Sequence, residues 1–255
     1  MLNIRAPSQV IGSWRDFFIH IATIVVSLLI AVGLEQGAEA LHGWNELRET
    51  RRALAVERVN NQARLAEDET NWFAGYANLI NDLLVLDYIK QHPGVKQTEL
   101  PGDLRWVQQP FHWEHAVWDT ALGRGVVRRM SIAEANERQK FYSLMSDMNG
   151  QSFEDWNAFN DAAAFNVQYD DATRLSAAEL AEVTRRAQYA LAKHFQLGYS
   201  FGRYAREFPD APHRITYELL GQLRQSAFIR DPVGMAAAHK MSDERIDAII
   251  KKYGE

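Results

Sequence analysis

The chain has 255 residues, of which 47% are hydrophobic and 24% are charged, proportions that are ordinary for a folded protein. Its net charge of -5 gives no reason to expect a nucleic acid partner, and the absence of cysteine excludes disulfides and thiolate chemistry. Composition therefore excludes some functions without indicating one.

The first predicted element is a helix that crosses a membrane. Phe17 to Leu34 are uncharged, and at about 1.5 Å per residue they cover roughly 27 Å, close to the roughly 30 Å hydrocarbon thickness of a bilayer. We place this transmembrane helix at residues 16–36, after a tail at residues 1–15. A cleaved signal peptide is the alternative, because Ala38-Glu39-Ala40 has the small residues of a cleavage site, but the uncharged stretch is longer than a signal needs.

The charges on either side of the predicted span indicate its orientation. Arg5 and Arg15 precede it, whereas Glu35 and Glu39 follow it. The positive-inside rule then predicts a cytoplasmic N-terminus. The predicted location is the bacterial inner membrane, with the bulk of the chain in the periplasm.

One face of the predicted span carries polar and small residues. They recur at intervals of three and four, and we call them the membrane seam: His20, Thr23, Ser27, Ala31 and Glu35. Such a stripe is typical of contact with another helix, which predicts a homo-oligomer that assembles through the span. In the alternative interpretation, Thr23 and Ser27 bond back to their own helix and His20 reaches headgroup water.

Beyond the span, a long membrane-proximal helix is predicted at residues 37–92, ended by His92-Pro93-Gly94. Its surface carries charges of both signs. A heptad register for this helix consists of Ala40, Trp44, Leu47, Arg51, Leu54, Arg58, Asn61 and Leu65. Two arginines in the core of that register make a parallel coiled coil along it an unfavourable arrangement.

The remaining residues, 93–255, are predicted to form a helical bundle that packs on residues 60–92. The expected helices lie at 111–122, 132–148, 153–168, 177–208 and 213–228, followed by a short helix that begins at Ser242. Ser131 with Glu134 and Ser176 with Glu179 form capping boxes, and Ser152 with Asp155 is a looser version. No alternating β pattern of useful length occurs, so the predicted fold is all-α.

Two groups of residues are candidates for ligand binding. His112 and His115 could face one metal ion from successive turns of a helix, although the sequence designates no third ligand and packing or capping is the commoner role. Arg124, Arg128 and Arg129 follow a helix end and could hold an anion, or could simply stabilise the helix dipole. No nucleophile elbow, phosphate loop or dinucleotide motif occurs, so we predict no catalytic residues, no cofactor and no enzyme activity.

Two stretches carry a likeness to known sequences. They are Ser27 to Glu46, which ends in Trp44-Asn45-Glu46, and Ala116 to Ala121 with its continuation through Met130 to Tyr142. Together they resemble uncharacterised bacterial single-pass membrane proteins that have an N-terminal anchor helix and an all-helical soluble domain. The resemblance implies a membrane-anchored helical domain and supplies no activity.

These observations favour a membrane-anchored helical scaffold or accessory protein. Its expected partners are the lipid bilayer, further copies of the chain and other envelope proteins. One alternative is a single-pass sensor that binds a small molecule or an anion in its external bundle. A further alternative is an oligomeric pore lined by His20, Thr23 and Ser27.

Overall fold

The computed structural model describes residues 14–106, 108–167 and 171–225. Regular structure in these ranges is helical throughout, and they contain no β-strand, which confirms the predicted all-α fold. The α-helices are, in chain order, α1 (Trp14–Gln91), α2 (Ala116–Gly123), α3 (Ile132–Val167), α4 (Ala177–Glu207) and α5 (Tyr217–Gln225). The short helix predicted from Ser242 lies outside the described residues.

Helix α1 runs without interruption for 78 residues. Its N-terminal part is long and apolar enough to cross a membrane, and the most apolar window is entirely unburied. The helix therefore continues without a break from the apolar stretch to Gln91, which confirms the predicted continuation of the first helix into a long second part. It ends where the chain turns at Gly94, whose positive φ of 84° suits glycine because the residue has no Cβ.

The bundle packs on the C-terminal part of α1. The most extensive helix contacts are those of α3 with α4, followed by α1 with α4. Trp72, Trp113 and Phe201 are completely buried at the centre of the core. Buried residues of α1 begin at Gly43 and Leu47, so the packing reaches closer to the apolar stretch than residue 60.

From Leu47 onward, the heptad register tested for α1 is an intramolecular contact surface. Leu54 and Asn61 of that register are fully buried. Its arginines lie at the edge, where Arg51 pairs with Glu134 at 2.6 Å and Arg58 pairs with Glu137. Arginines are tolerated in this register because Glu134 and Glu137 of α3 pair with them at its edge.

Helix α3 is one continuous helix of 36 residues, so the prediction of two helices at 132–148 and 153–168 is wrong. Ser152 and Asp155 resemble a helix start in sequence, but both side chains are buried. The Ser152 Oγ accepts a hydrogen bond from the backbone amide of Phe111 at 2.6 Å. The pair therefore bonds across the core, which a sequence pattern for caps does not distinguish.

Two other helices begin later than predicted. Helix α2 begins at Ala116 instead of 111, and α5 begins at Tyr217 instead of 213. The residues before each helix donate their backbone amides to buried side chains of other helices, which competes with helix formation. At the start of α4 the capping box of Ser176 and Glu179 is confirmed in both directions.

Candidate functional site

The membrane seam is exposed along its whole length. The Thr23 hydroxyl donates to the Ile19 carbonyl at 2.8 Å, and His20 Nδ1 lies 3.1 Å from the Asp16 carbonyl. Thr23 thus bonds to its own helix, as the alternative interpretation supposes, and His20 also contacts its own helix, whereas that interpretation directed it to headgroup water. A hydroxyl that donates to its own helix still presents lone pairs to a neighbour, so this face keeps polar atoms that its own helix does not satisfy.

A second polar region lies inside the bundle, where side chains hold the extended segment at residues 108–115. Asn61 of α1 donates to the Glu114 carbonyl at 2.7 Å and accepts from the Glu114 amide at 2.8 Å. Asn149 of α3 makes the same two bonds with Trp113, both at 2.8 Å. Each asparagine side chain bonds to both the amide and the carbonyl of one residue, as a neighbouring β-strand would. These bonds satisfy the backbone groups of Trp113 and Glu114, which lie before α2 and have no helical partners.

Carboxylates on α1 serve the same purpose. Glu57 accepts from the Val117 amide at 3.0 Å, and Asp82 accepts from the Arg105 amide. Glu69 accepts from the amides of Arg214 and Ile215 ahead of α5. Burial raises the pKa of Glu69 and of Asp82 to about 7, although these backbone bonds favour the ionised forms.

A completely buried histidine joins three helices. His194 of α4 places Nδ1 2.8 Å from Asp155 of α3 and Nε2 2.8 Å from the Trp72 carbonyl of α1. A carbonyl can only accept, so Nε2 carries a hydrogen atom, and a further proton lies between Nδ1 and Asp155. The Trp72 ring stacks on the imidazole at 4.8 Å, and its indole nitrogen donates to the His194 carbonyl at 2.9 Å.

The surroundings of His194 explain a glycine in the middle of α1. A Cβ on Gly75 would lie 2.9 Å from His194 Cε1 and 2.6 Å from Gln108 Oε1, both too close. Gln108 also donates to Asp155 at 3.1 Å. Gly75 therefore allows the His194 and Gln108 side chains to approach the helix backbone.

Gln108 is also part of the wall of a surface cleft of about 530 Å³ between α1 and residues 108–112. Polar side chains dominate its lining: Arg64, Glu67, Asp68, Asn71, Asn78, Gln108, Gln109 and His112. Burial, together with repulsion from Glu67, raises the pKa of Asp68 to about 7. Arg64 is engaged with Glu114 at 3.5 Å. The cleft thus offers carboxylates and amides, which suit a polar or cationic small molecule.

The two predicted metal ligands do not share a helix face. His112 lies in the extended segment, where its carbonyl accepts from Arg64 at 3.2 Å. His115 precedes α2 and bonds to Asp119 at 2.6 Å. Among the residues that the structure describes, no group of three or more His, Asp or Glu side chains is arranged to hold a metal ion.

The predicted anion site is divided among different environments. Arg129 pairs with Glu46 of α1 at 2.7 Å and lies over Gly43. Arg124 lines a separate shallow groove together with Glu46 and Glu49, and Arg128 is exposed. Carboxylates beside two of the three arginines already provide the negative charge that an anion would bring.

Sequence reasoning missed the residues at the centre of the polar interior, above all Asp155, Asn61 and Asn149. Their common signal is a polar residue at core spacing in an amphipathic helix, as Asn61 is between Leu54 and Leu65. That signal indicates burial but does not identify the partner.

The described fold is that of an all-helical protein with one candidate membrane-spanning helix. Comparison with protein-family models, with curated proteins and with solved structures finds no significant match.

Proposed function

We propose that this protein is a membrane-anchored helical scaffold or accessory protein that assembles with further copies of itself through α1. In this proposal residues 16–36 cross the bacterial inner membrane, the N-terminus is cytoplasmic and the helical bundle lies in the periplasm. The bundle then serves as a docking module for other envelope proteins. The proposal includes no catalytic activity and no cofactor.

The observation that carries the proposal is the free N-terminal part of α1. Residues 14–42 are all exposed, and the bundle does not bury any of them. Lipid tails satisfy the leucines, isoleucines and valines of this part, but they offer nothing to the polar atoms of the membrane seam. A second helix at the seam satisfies those atoms and allows close backbone approach at Ala31.

The oligomeric state of the full chain in lipid nanodiscs or mild detergent tests this proposal. Light scattering is expected to give a dimer or a larger oligomer. Ala31→Leu, which places a bulky side chain in the seam, should shift the equilibrium towards monomer. Val25→Leu, which enlarges a residue on another face of the same helix, is the matched control. A monomer at all accessible protein concentrations would contradict the proposal.

A second candidate function, a single-pass sensor, is favoured by the cleft beside Asp68. Its carboxylates and amides indicate a polar or cationic ligand, in contrast to the anion considered from the sequence. Gln108 connects the cleft to Asp155, so a ligand that engages Gln108 would alter the bonds that join α1, α3 and α4.

Thermal shift measurements with putrescine and with neutral sugars as probes test the sensor function. A ligand that binds only the folded state raises the unfolding temperature, and the rise grows with the logarithm of ligand concentration above the dissociation constant. Stabilisation that is lost in Asp68→Asn and kept in Glu99→Gln, a carboxylate outside the cleft, would support the sensor. No stabilisation by any probe would favour the scaffold.

A further inference from the structure

The bundle and the membrane seam lie on opposite sides of α1. An α-helix turns by about 100° per residue, or once in about 3.6 residues. From His20 to Leu47 there are 27 residues, about seven and a half turns, so the two residues point in opposite directions. Leu47 is buried by the bundle, whereas His20 is exposed. The bundle therefore leaves the seam side of the helix open.

The open side continues far beyond the span. From His20 to Val56 there are 36 residues, about ten complete turns, so these residues lie on one line along the helix. We call the exposed residues on and beside this line the outer face: Ala38, Asn45, Glu49, Arg52, Val56, Val59 and Ala63. The outer face thus extends the membrane seam by about 25 residues, or roughly 38 Å.

The outer face has an apolar end. Val56 is 61% exposed and Val59 is 63% exposed, and Ala63 follows them one turn later. These residues lie more than 20 positions beyond Leu34, where no bilayer covers them. Two exposed valines one turn apart form a small apolar surface that the bundle does not cover.

The charges on the outer face indicate which partner fits it and in which orientation. Glu49 lies on one side of the line through His20 and Val56, and Arg52 lies on the other side. Neither forms an ion pair in the part of the chain that the structure describes. In a parallel pair related by a twofold axis along the helices, the acidic edge of one copy meets the basic edge of the other. An antiparallel pair would bring like charges together.

From this geometry we propose that a second copy of the chain docks in parallel and in register along the outer face, from Ala38 to Ala63. The inference rests on the proposed self-assembly and adds the surface and the orientation. Two copies with the same anchor enter the membrane at the same depth, which aligns identical residues. Each bundle then lies on the outside of the pair, away from the contact.

Disulfide trapping tests the surface directly, because the chain contains no cysteine and every introduced thiol is unique. Ala38→Cys and Val56→Cys should give disulfide-linked dimers in the full chain in nanodiscs under mild oxidation. Ala40→Cys is the matched control, since Ala40 is also exposed but lies about half a turn from the line. We expect at least a tenfold greater yield of dimer at Ala38 than at Ala40.

Charge exchange tests the orientation. Glu49→Arg and Arg52→Glu should each weaken the dimer by about three- to tenfold, since each places like charges on facing edges in both halves of the pair. The double variant should regain the original affinity. An unchanged dimer in both single variants would contradict the parallel arrangement.

The outcomes separate this inference from the proposed function. Dimers trapped by Ser27→Cys but not by Val56→Cys would keep the assembly through the span and overturn the contact along the outer face. Equal trapping at Ala38 and Ala40 would also overturn it. A full chain that is monomeric and gives no trapped dimer at any position would overturn both proposals.

Discussion

The two parts of α1 differ in how they satisfy their polar residues. Before Gly43, polar residues are exposed, and Thr23 and His20 contact carbonyl groups of their own helix. After Leu47, polar residues such as Asn61 and Asp82 are buried and bond to backbone groups distant in sequence. One continuous helix therefore contains a surface that is unpartnered within the chain and a surface that organises the whole bundle.

This difference indicates where specificity of the fold resides. The extended segments before α2 and α5 have backbone amides that no helix or sheet satisfies. The buried side chains of α1 and α3 bind those amides, and each such bond fixes one position of the segment. The N-terminal part of α1 contributes nothing to this arrangement, so substitutions in the two parts should have separable effects.

The largest expected effect is a dependence of stability on pH that arises from buried carboxylates in the C-terminal part of α1. Burial raises the pKa values of Asp68, Glu69 and Asp82 to about 7, above their values in an unfolded chain. The folded state therefore binds more protons than the unfolded state between pH about 4 and about 7. The free energy of unfolding should fall as the pH rises through this window.

Urea unfolding at a series of pH values measures this dependence. Asp82→Asn removes one of the titrating carboxyl groups and should therefore make the pH dependence of stability shallower. Its amide oxygen can still accept a hydrogen bond from the Arg105 amide. Asp87→Asn, the same chemical change five residues further along α1, should leave it unaltered. A free energy of unfolding that rises between pH 5 and pH 7 would show that the buried carboxylates do not determine the pH dependence.

The next effect concerns the bonds that join α1, α3 and α4. Asp155→Ala removes the acceptor of both His194 and Gln108 in a fully buried site, so it should cost about 3–5 kcal/mol of unfolding free energy. Glu154→Ala removes only an exposed partner of Lys193 and should cost at most about 1 kcal/mol. Denaturant titration compares the two, and equal costs would show that the buried pair contributes little.

A third prediction compares the two sides of α1 at the same height. Leu54→Ala leaves a cavity in the core and should cost about 2–5 kcal/mol. Val56→Ala alters an exposed residue and should change the unfolding free energy of the monomer by less than about 0.5 kcal/mol. The comparison is made by urea unfolding in detergent at concentrations where the chain is monomeric. A large loss of stability for Val56→Ala in the monomer would contradict the finding that the bundle covers the Leu54 side of α1 and leaves the Val56 side exposed.

The smallest of these effects concerns the two hydrogen bonds by which Asn61 fixes the extended segment at residues 108–115. Asn61→Ala leaves the amide and the carbonyl of Glu114 without partners, which should cost about 1–3 kcal/mol. Asn60→Ala, at an exposed neighbouring position, is the control and should be nearly neutral. Hydrogen exchange at the Glu114 amide should accelerate in Asn61→Ala only, and unchanged protection there would contradict its role.

The sequence predicts the helices well where local chemistry decides them. The continuous α1 follows from uninterrupted helical spacing, and the start of α4 follows from its capping box. The predictions of a helix break before Ser152 and of the start of α2 are wrong for the same reason. Ser152 and Asn149 bond to a segment about 40 residues earlier in the chain, and no local pattern reports such a contact.

The polar interior shows the same limit for a candidate site. The sequence drew attention to His112 and His115 because they are close together, yet these residues lie in different local structures. The histidine with the most organised surroundings is His194, whose partners Asp155 and Trp72 come from other helices. Proximity along the chain was a poor guide because the contacts that define this centre are tertiary.

The unbroken backbone of α1 also has a mechanical consequence. Gly33, Gly37 and Gly43 lie within the helix and do not interrupt it, so no hinge separates the apolar stretch from the core residue Trp72. A rotation or a tilt applied at one end of such a rod reaches the other end as a rotation or a tilt. Insertion of one residue between Leu34 and Gly43 would turn the bundle by about 100° around the rod, whereas insertion of seven would nearly restore its direction.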